Sequence, residues 1–468
     1  MFKIRQILMV VLLLAQGIFE ALKEARDFTQ LEEKVHRLTQ QAGGVLLTFA
    51  LEEIDQRLMA QREKTLKVIG SRERTLISTM GEIKIKRRMY RDEAGKYVFL
   101  LDQALGLASH RRISQRLQEL VLDLATEMPF RRAAKVLSYL VPAVSPMAVW
   151  STAQAAGEEA CKEADKLKKD VFEKGVVPKG QRVVDRLNIE GDEIRLKQQR
   201  GKSKYLDLKL LVGYEGKTGP RRRLENRHTV AGITDGRGIW EEGSCVFGQK
   251  WALPEVKQIR IGGDGASWIK RGVEHFPGAT YYLDLFHLRK RLTEALSNTA
   301  AYTAVTDGLA RLDKEAVLRA LDQEMSLLKG ARKKRVRELK KYLLDNWSGI
   351  ARLPEEERLG TIEGQVRHTI ARRMKRVGAR WTLKGAGRMG RLLAAKANGE
   401  LSRYVAKPKS ALENLLSEQT FMEKVSACHQ KDLEAWLRAT MPALYGPFAG
   451  RPWIKYVLKE IASVQWPA

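Results

Sequence analysis

Three acidic residues stand where carboxylates could support metal-assisted chemistry. Asp192 lies in an extended run flanked by Leu187, Ile189, Ile194 and Leu196. Asp264 closes a second apolar run, with Gly262-Gly263 before it and Gly265-Ala266-Ser267 after it. Small neighbours leave space for a cation and a bulky substrate. Glu363 follows a Gly360-Thr361 break and opens a helix that Thr361 is suited to cap. Carboxylates from two neighbouring strands and a helix can hold two Mg²⁺ ions about 4 Å apart, an arrangement that cuts and rejoins phosphodiesters. Hard oxygen donors favour Mg²⁺ or Mn²⁺. Acids at strand ends also serve as plain caps or ion-pair partners, so the surroundings must decide. The first position has rivals within Glu190-Gly191-Asp192-Glu193: Glu190 shares a strand face with Asp192, whereas Glu193 faces away.

The surroundings are basic. Between Glu363 and Gly390 stand Arg367, Arg372, Arg373, Lys375, Arg376, Arg380, Lys384 and Arg388, with no further acid. The first seven are the predicted DNA-gripping surface, because phosphate contacts drive such binding. The 468-residue chain has 84 Lys+Arg against 56 Asp+Glu, a formal charge of +28. That balance favours a polyanionic partner and argues against a secreted or charge-neutral metabolic enzyme. Phosphate-binding glycine loops, a Gly-x-Ser-x-Gly elbow and a His-Glu-x-x-His pair are all missing from the sequence. Cys161, Cys245 and Cys428 form neither a disulfide framework nor a zinc pattern, which fits a reducing cytoplasmic (nucleoid) setting. The apolar run 7–15 is too short to span a bilayer and reads as a buried part of an N-terminal helix; no membrane partner is expected.

The elements that must position these residues follow from periodicity. Residues 1–110 read as N-terminal helices followed by a basic β-hairpin, with strands at 75–80 and 83–90, a turn at 92–96 and a second apolar run at 97–101. One hairpin strand carries Lys84, Lys86, Arg87, Arg88 and Arg91, which could lie along a phosphate backbone or simply face water. Residues 111–180 read as helix, turn, helix and linker, with Ser145 as N-cap and Pro146 at the first helical position, the plan of a helix-turn-helix DNA reader. Residues 181–292 give three strands, a helix, a strand, a helix and a strand: a mixed sheet covered by helices. A helical insertion fills 293–358, and the last part of the core spans 359–400 as one helix followed by a Gly-rich basic stretch. A helical tail occupies 401–468.

Several segments resemble a known family. Gly263-Asp264-Gly265-Ala266, Phe276-Pro277-Gly278-Ala279 and Leu283-Asp284-Leu285-Phe286-His287-Leu288 look like the middle of bacterial insertion-sequence transposases of the ISLre type, relatives of the Mutator group. Thr361-Ile362-Glu363-Gly364-Gln365-Val366, Arg373-Met374-Lys375 and Ala379-Arg380-Trp381-Thr382 resemble their last catalytic segment. Residues 74–83 and 99–107 resemble their N-terminal region. The resemblance covers roughly 75–395 and implies an α/β, RNase H-like catalytic core with a DDE triad. By position the triad is Asp192, Asp264 and Glu363, which would hold two Mg²⁺ (or Mn²⁺) ions. Mutator relatives carry a Cys-x-x-His after the second Asp, where this chain has Asp284 and His287. Those two and Trp381 are accessory candidates, and Trp268 and Trp381 could stack on splayed bases. The implied activity is cleavage and strand transfer of double-stranded DNA by a homodimer or larger assembly. The rival expectation is a transposase-derived DNA-binding protein that no longer cuts.

Overall fold

The computed structural model describes residues 4–107, 112–141, 144–220, 222–297, 299–351, 357–376, 378–405 and 450–451. The expected helical tail therefore lies largely outside the described residues.

Two helices, α1 (Ile4–Glu24) and α2 (Phe28–Gln61), open the chain and pack on each other. Asp27 caps α2 by accepting the Gln30 N–H at 2.8 Å. Strands β1 (Lys67–Ser78) and β2 (Gly81–Arg91) form the expected hairpin. The apolar run at 97–101 is only briefly strand: β3 (Tyr97–Val98) pairs with β2, and α3 (Leu100–Ala104) follows at once. Its Asp102 explains the change. Asp102 accepts a hydrogen bond from Arg74 at 2.7 Å and forms an ion pair with Arg87 at 3.0 Å, and Arg87 also lies over the Phe99 ring. Arg88 is likewise spent internally on buried Asp55, at 2.6 Å. Of the basic hairpin residues, Lys84, Lys86 and Arg91 remain exposed.

The run at 7–15 is helical but not buried as expected: within it Leu8, Met9, Val11 and Leu12 are exposed and Val10 is buried. No described helix is long and apolar enough to cross a membrane.

Helices α4 (Gln115–Glu127), α5 (Phe130–Ser138) and α6 (Pro146–Phe172) share one core through Leu117, Val121, Ala133, Leu137, Val149 and Ala153. Ser145 caps α6 as expected, accepting the Ala148 N–H at 3.1 Å. The helix then runs for 27 residues and ends in the segment read as helix passing into linker.

The central sheet combines β4 (Arg186–Lys197), β5 (Tyr205–Tyr214), β8 (His228–Gly232), β9 (Gln258–Gly263) and β10 (Thr280–Leu283) in the order β10-β9-β4-β5-β8. A two-residue pair, β6 (Lys217–Thr218) with β7 (Arg223–Leu224), decorates the loop before β8. Contacts β4–β5 and β5–β8 are antiparallel, whereas β9 and β10 add in parallel. Leucine, isoleucine and valine on both faces of these strands demand a covering layer on each side. One layer is α7 (Gly236–Lys250) with the short α8 (Ser267–Lys270), packed on Leu187, Ile189 and Ile261. The other is a helix beginning at α13 (Ile362–Gln365), together with α15 (Leu383–Ala397), packed on Ile194, Leu208 and Leu210. The Gly-rich basic stretch is thus mostly helix. Thr382 caps it at Gly385, and Gly390 lets it sit against Leu208.

Between β10 and α13 four helices form a separate core: α9 (Leu285–Leu296), α10 (Ala300–Arg311), α11 (Lys314–Leu327) and α12 (Gly330–Asn346). The segment read as a helical insertion is helical, and its first helix begins at Leu285 rather than at 293.

Candidate active site

The parallel strands bring the acids together. The last β4–β9 pair is Glu190 with Gly262, and the last β9–β10 pair is Gly263 with Leu283. Asp192 and Asp264 each lie two residues beyond the first pair, and Asp264 and Asp284 one beyond the second. The three acids therefore lie on neighbouring strands: Asp192 inside β4, just past its parallel pairing with β9, and Asp264 and Asp284 just past the ends of β9 and β10. Gly265 makes the turn after Asp264: its φ is +95°, and a Cβ there would lie 2.6 Å from Asn346.

Glu363 is brought to this edge by a residue that sequence reasoning treated only as a rival. Glu190 is fully buried on the same strand face as Asp192. Its Oε2 accepts the backbone N–H groups of Gly360 and Thr361, both at 2.8 Å, and of Ile362 at 3.2 Å. Its Oε1 accepts the Thr361 hydroxyl at 2.6 Å and the Tyr214 hydroxyl at 2.5 Å. Thr361 does not cap its own helix; the strand carboxylate takes over the orphan N–H groups and the positive end of the dipole. Gly360, at φ +106°, is needed because a Cβ would meet Asp284 Oδ1 at 2.7 Å. The helix continues from α13 through a π-helical turn, Val366–Ala371, into α14 (Arg372–Met374). Ile362, Val366 and Ile370 are buried against the sheet, and Glu363 is exposed at the helix start.

The electrostatics tie the group together. Burial pushes the Asp192 carboxyl up to about 7. The negative charges of Asp264 and Glu363 push the same way, against the Glu193 N–H and His287. Asp192 Oδ1 accepts the Glu193 N–H at 2.7 Å, and Asp264 Oδ1 accepts the Ala266 N–H at 2.9 Å. The second oxygen of each, and the whole Glu363 carboxylate, has no hydrogen-bond or ion-pair partner among the described residues. As the structure stands, no three His, Cys, Asp or Glu side chains among the described residues close on one metal position. The donors are of the kind a hard divalent cation takes, but among the described residues their side chains do not gather around one position.

The accessory candidates divide. Asp284 is 1% exposed; it accepts the Phe286 N–H at 2.9 Å as the cap of α9 and holds His287 Nδ1 at 2.6 Å. That bond raises the His287 pKa, with the Asp192 and Asp264 charges assisting. Trp381 is buried and donates its indole N–H to Met374 O at 2.9 Å, so it is a core residue and not a stacking platform. Trp268 packs beside Trp240, with Lys209 over its ring.

The seven predicted DNA-gripping bases divide as well. Arg373 is 5% exposed, donates to Ala125 O at 2.7 Å and lies over the Phe130 and Trp381 rings. It ties the Glu363 helix to α4 and cannot meet DNA. Arg376 bonds Glu127 O, and Arg372 lies 3.8 Å from the Glu127 carboxylate, though both remain exposed. Arg367, Lys375, Arg380 and Lys384 are exposed. The stripe 362, 366, 370, 373 could have flagged Arg373, since it continues the buried helix face. A cavity of about 510 Å³, lined by His228, Glu242, Arg391 and Asn398, lies between α6, α7 and β8, apart from the carboxylates.

Residues 21–410 match the family model described as Uncharacterised protein family (UPF0236). The chain belongs to UPF0236. Among its relatives is a UPF0236 protein of Caldanaerobacter subterraneus subsp. tengcongensis whose name carries eleven locus designations. It is 28% identical over 397 residues, covering 82% of this chain and 81% of the relative. A second UPF0236 protein of that organism is 28% identical over 393 residues, covering 81% of each. A UPF0236 protein of Streptococcus gallolyticus, named for its place in the vanSb 3′ region, is 27% identical over 408 residues, covering 83% of this chain and 87% of the relative. The family match spans the hairpin, the helical region, the sheet, the four helices after it and the Glu363 helix of this chain.

Proposed function

We propose that this UPF0236 chain is the DNA transposase of a mobile element, with an RNase H-like core whose working carboxylates are Asp192, Asp264 and Glu363. The observation that supports the reading is the placement of Asp192 and Asp264 on neighbouring strands, with the start of the Glu363 helix pinned to the same strand by Glu190 and the charges of Asp264 and Glu363 felt at Asp192. The strand order supports it: three antiparallel strands, then two added in parallel beside the first, is the order such a core requires. A relative named from eleven loci of one genome is also what a self-copying element leaves behind.

Asp192, Asp264 and Glu363 would hold two Mg²⁺ or Mn²⁺ ions, which supply charge neutralisation at the phosphate and a more acidic water or 3′-hydroxyl. The protein's own part is positioning. Glu190 fixes the helix start, so Glu363 can reach the strand acids without unwinding. The Asp284–His287 pair sets an imidazole of raised pKa beside the acids, where its charge offsets their mutual repulsion. Arg367, Lys375, Arg380 and Lys384 face solvent along and beyond the same helix, where they can bind the phosphate backbone of element ends and target DNA. No side chain is required as a covalent nucleophile.

The test is a supercoiled plasmid carrying an element end, incubated with the chain and Mg²⁺ or Mn²⁺. Wild type is expected to nick and then join ends, and Asp264→Asn and Glu363→Gln are expected to bind without nicking. Nicking that survives both substitutions would refute the site. Wild-type binding without nicking would favour the second reading, a transposase-derived binding protein, to which the separated carboxylate side chains lend weight.

A further inference from the structure

The exposed apolar residues of α1 are ordered. Leu8, Leu12, Ala15, Phe19 and Leu22 are all exposed and follow steps of four, three, four and three residues. That is the 3.5-residue spacing of a coiled-coil seam. The positions flanking the seam include Met9, Val11 and Ile18, also exposed and apolar. A second seam on the roughly opposite face, Val10, Leu14, Gly17 and Ala21, is the one that packs on α2, with Gly17 against Leu38. So α1 has two helix-pairing faces and, among the described residues, one helix packed on it.

We propose that the outer face of α1 is a dimerisation surface, on which the α1–α2 hairpins of two copies of this chain close into a four-helix bundle. Three observations select a second copy. First, residues 6–19 carry no charge, so two copies meet there without opposing like charges, although the chain carries +28. Second, the seven exposed large side chains include Phe19 at 71% and Leu22 at 65% exposure. With full areas of about 150–210 Å² each they present roughly 700 Å², close to the ~800 Å² per partner of a stable interface. Third, apolar residues flanking the seam widen it beyond a two-helix contact, which suits helices meeting in a bundle. A self-complementary patch of this kind closes by two-fold symmetry and leaves no open end. The proposal rests on helix geometry alone and stands whether or not the chain cuts DNA.

The full-length chain is examined by sedimentation at micromolar concentration in high salt. Wild type is expected at twice the chain mass, and Leu12→Glu/Phe19→Glu at the chain mass with unchanged circular dichroism, a dissociation constant weaker by at least ~100-fold. Because both residues are already exposed, the variant keeps its fold. Ala15→Cys provides an independent readout. Ala15 is the centre of the seam, so two copies place these thiols together whether the α1 helices run parallel or antiparallel. Mild oxidation is expected to yield a covalent dimer of Ala15→Cys that wild type does not give. A monomeric wild type, a dimer that survives both glutamates, or no Ala15→Cys cross-link would overturn the proposal. So would salt-resistant binding of wild type to phosphatidylglycerol vesicles that the glutamates abolish, which would reassign the face to lipid.

Discussion

Replacing Asp192 with Asn should make the protein more stable and inactive at once. The Asp192 carboxyl is pushed by burial from 3.8 to about 7, with Asp264 and Glu363 adding to the shift. The folded state therefore holds this proton more tightly than the unfolded chain. The stability it contributes is complete below pH 3.8 and is lost as pH rises through about 7. That difference corresponds to about 4 kcal/mol for a fully shielded group. Asp192 is only half-buried, so solvent screening reduces the effect to ~1–2 kcal/mol at pH 8. Asn keeps the shape and removes the charge. Asp192→Asn is thus expected to melt ~1–2 °C above wild type at pH 8 and at the same temperature near pH 4. Melting is followed by scanning calorimetry from pH 4 to pH 8 without divalent ions. Added Mg²⁺ should raise the wild-type melting temperature at pH 8 and leave Asp192→Asn nearly unmoved, because a ligand stabilises only the state that binds it. A variant less stable than wild type at pH 8, or a difference that does not change with pH, would refute the argument that like charges are crowded at this edge.

Two further substitutions separate positioning from contact. Glu190→Ala removes the carboxylate that gathers Gly360, Thr361, Ile362 and Tyr214; a loss of ~3–5 kcal/mol is expected in denaturant unfolding. Glu190→Gln should keep the fold better and still lower the nicking rate while DNA affinity is unchanged. Arg373→Met should cost about 2 kcal/mol in stability, with no change in the salt dependence of DNA binding, since this guanidinium is enclosed. Lys375→Ala should leave stability within ~0.5 kcal/mol and reduce the slope of log K against log salt by about 1, measured by fluorescence anisotropy.

Much of the fold could be read from the residues because local signals and global packing agree. Alternating apolar residues gave the sheet strands in their right sequence, and Ser145-Pro146 gave the start of α6. The helix at 383–397 was hidden because Gly385, Gly387 and Gly390 lower helix propensity, and only the close approach of Gly390 to Leu208 shows why glycine is required at that position. Strand β3 ended early because Asp102 must turn inward to meet Arg74 and Arg87. At the candidate site, the glycines around Asp264 and the break before Glu363 marked a strand end and a helix start, and both are present. Glu190 was not legible, because its role depends on a segment 170 residues away along the chain. A glutamate set among Leu187, Ile189, Ile194 and Leu196 in one strand was the one clue, since such a group is buried only when paired. Arg373 and its exposed neighbours are identical in kind, and only the helix face to which each belongs tells them apart.

The four-helix insertion is less detachable than its separate core implies. The Tyr342 hydroxyl of α12 donates to Asp264 O at 2.8 Å, and the turn at Gly265 is shaped around Asn346 from the same helix. One end of α12 therefore acts as a stop against which the strand-end acid is seated. Shortening the insertion at its far end, near α10 and α11, leaves that stop in place, whereas excising all four helices frees Asp264 to drift. Mechanical load placed on the insertion by anything that grips it is delivered straight to the position of a single carboxylate.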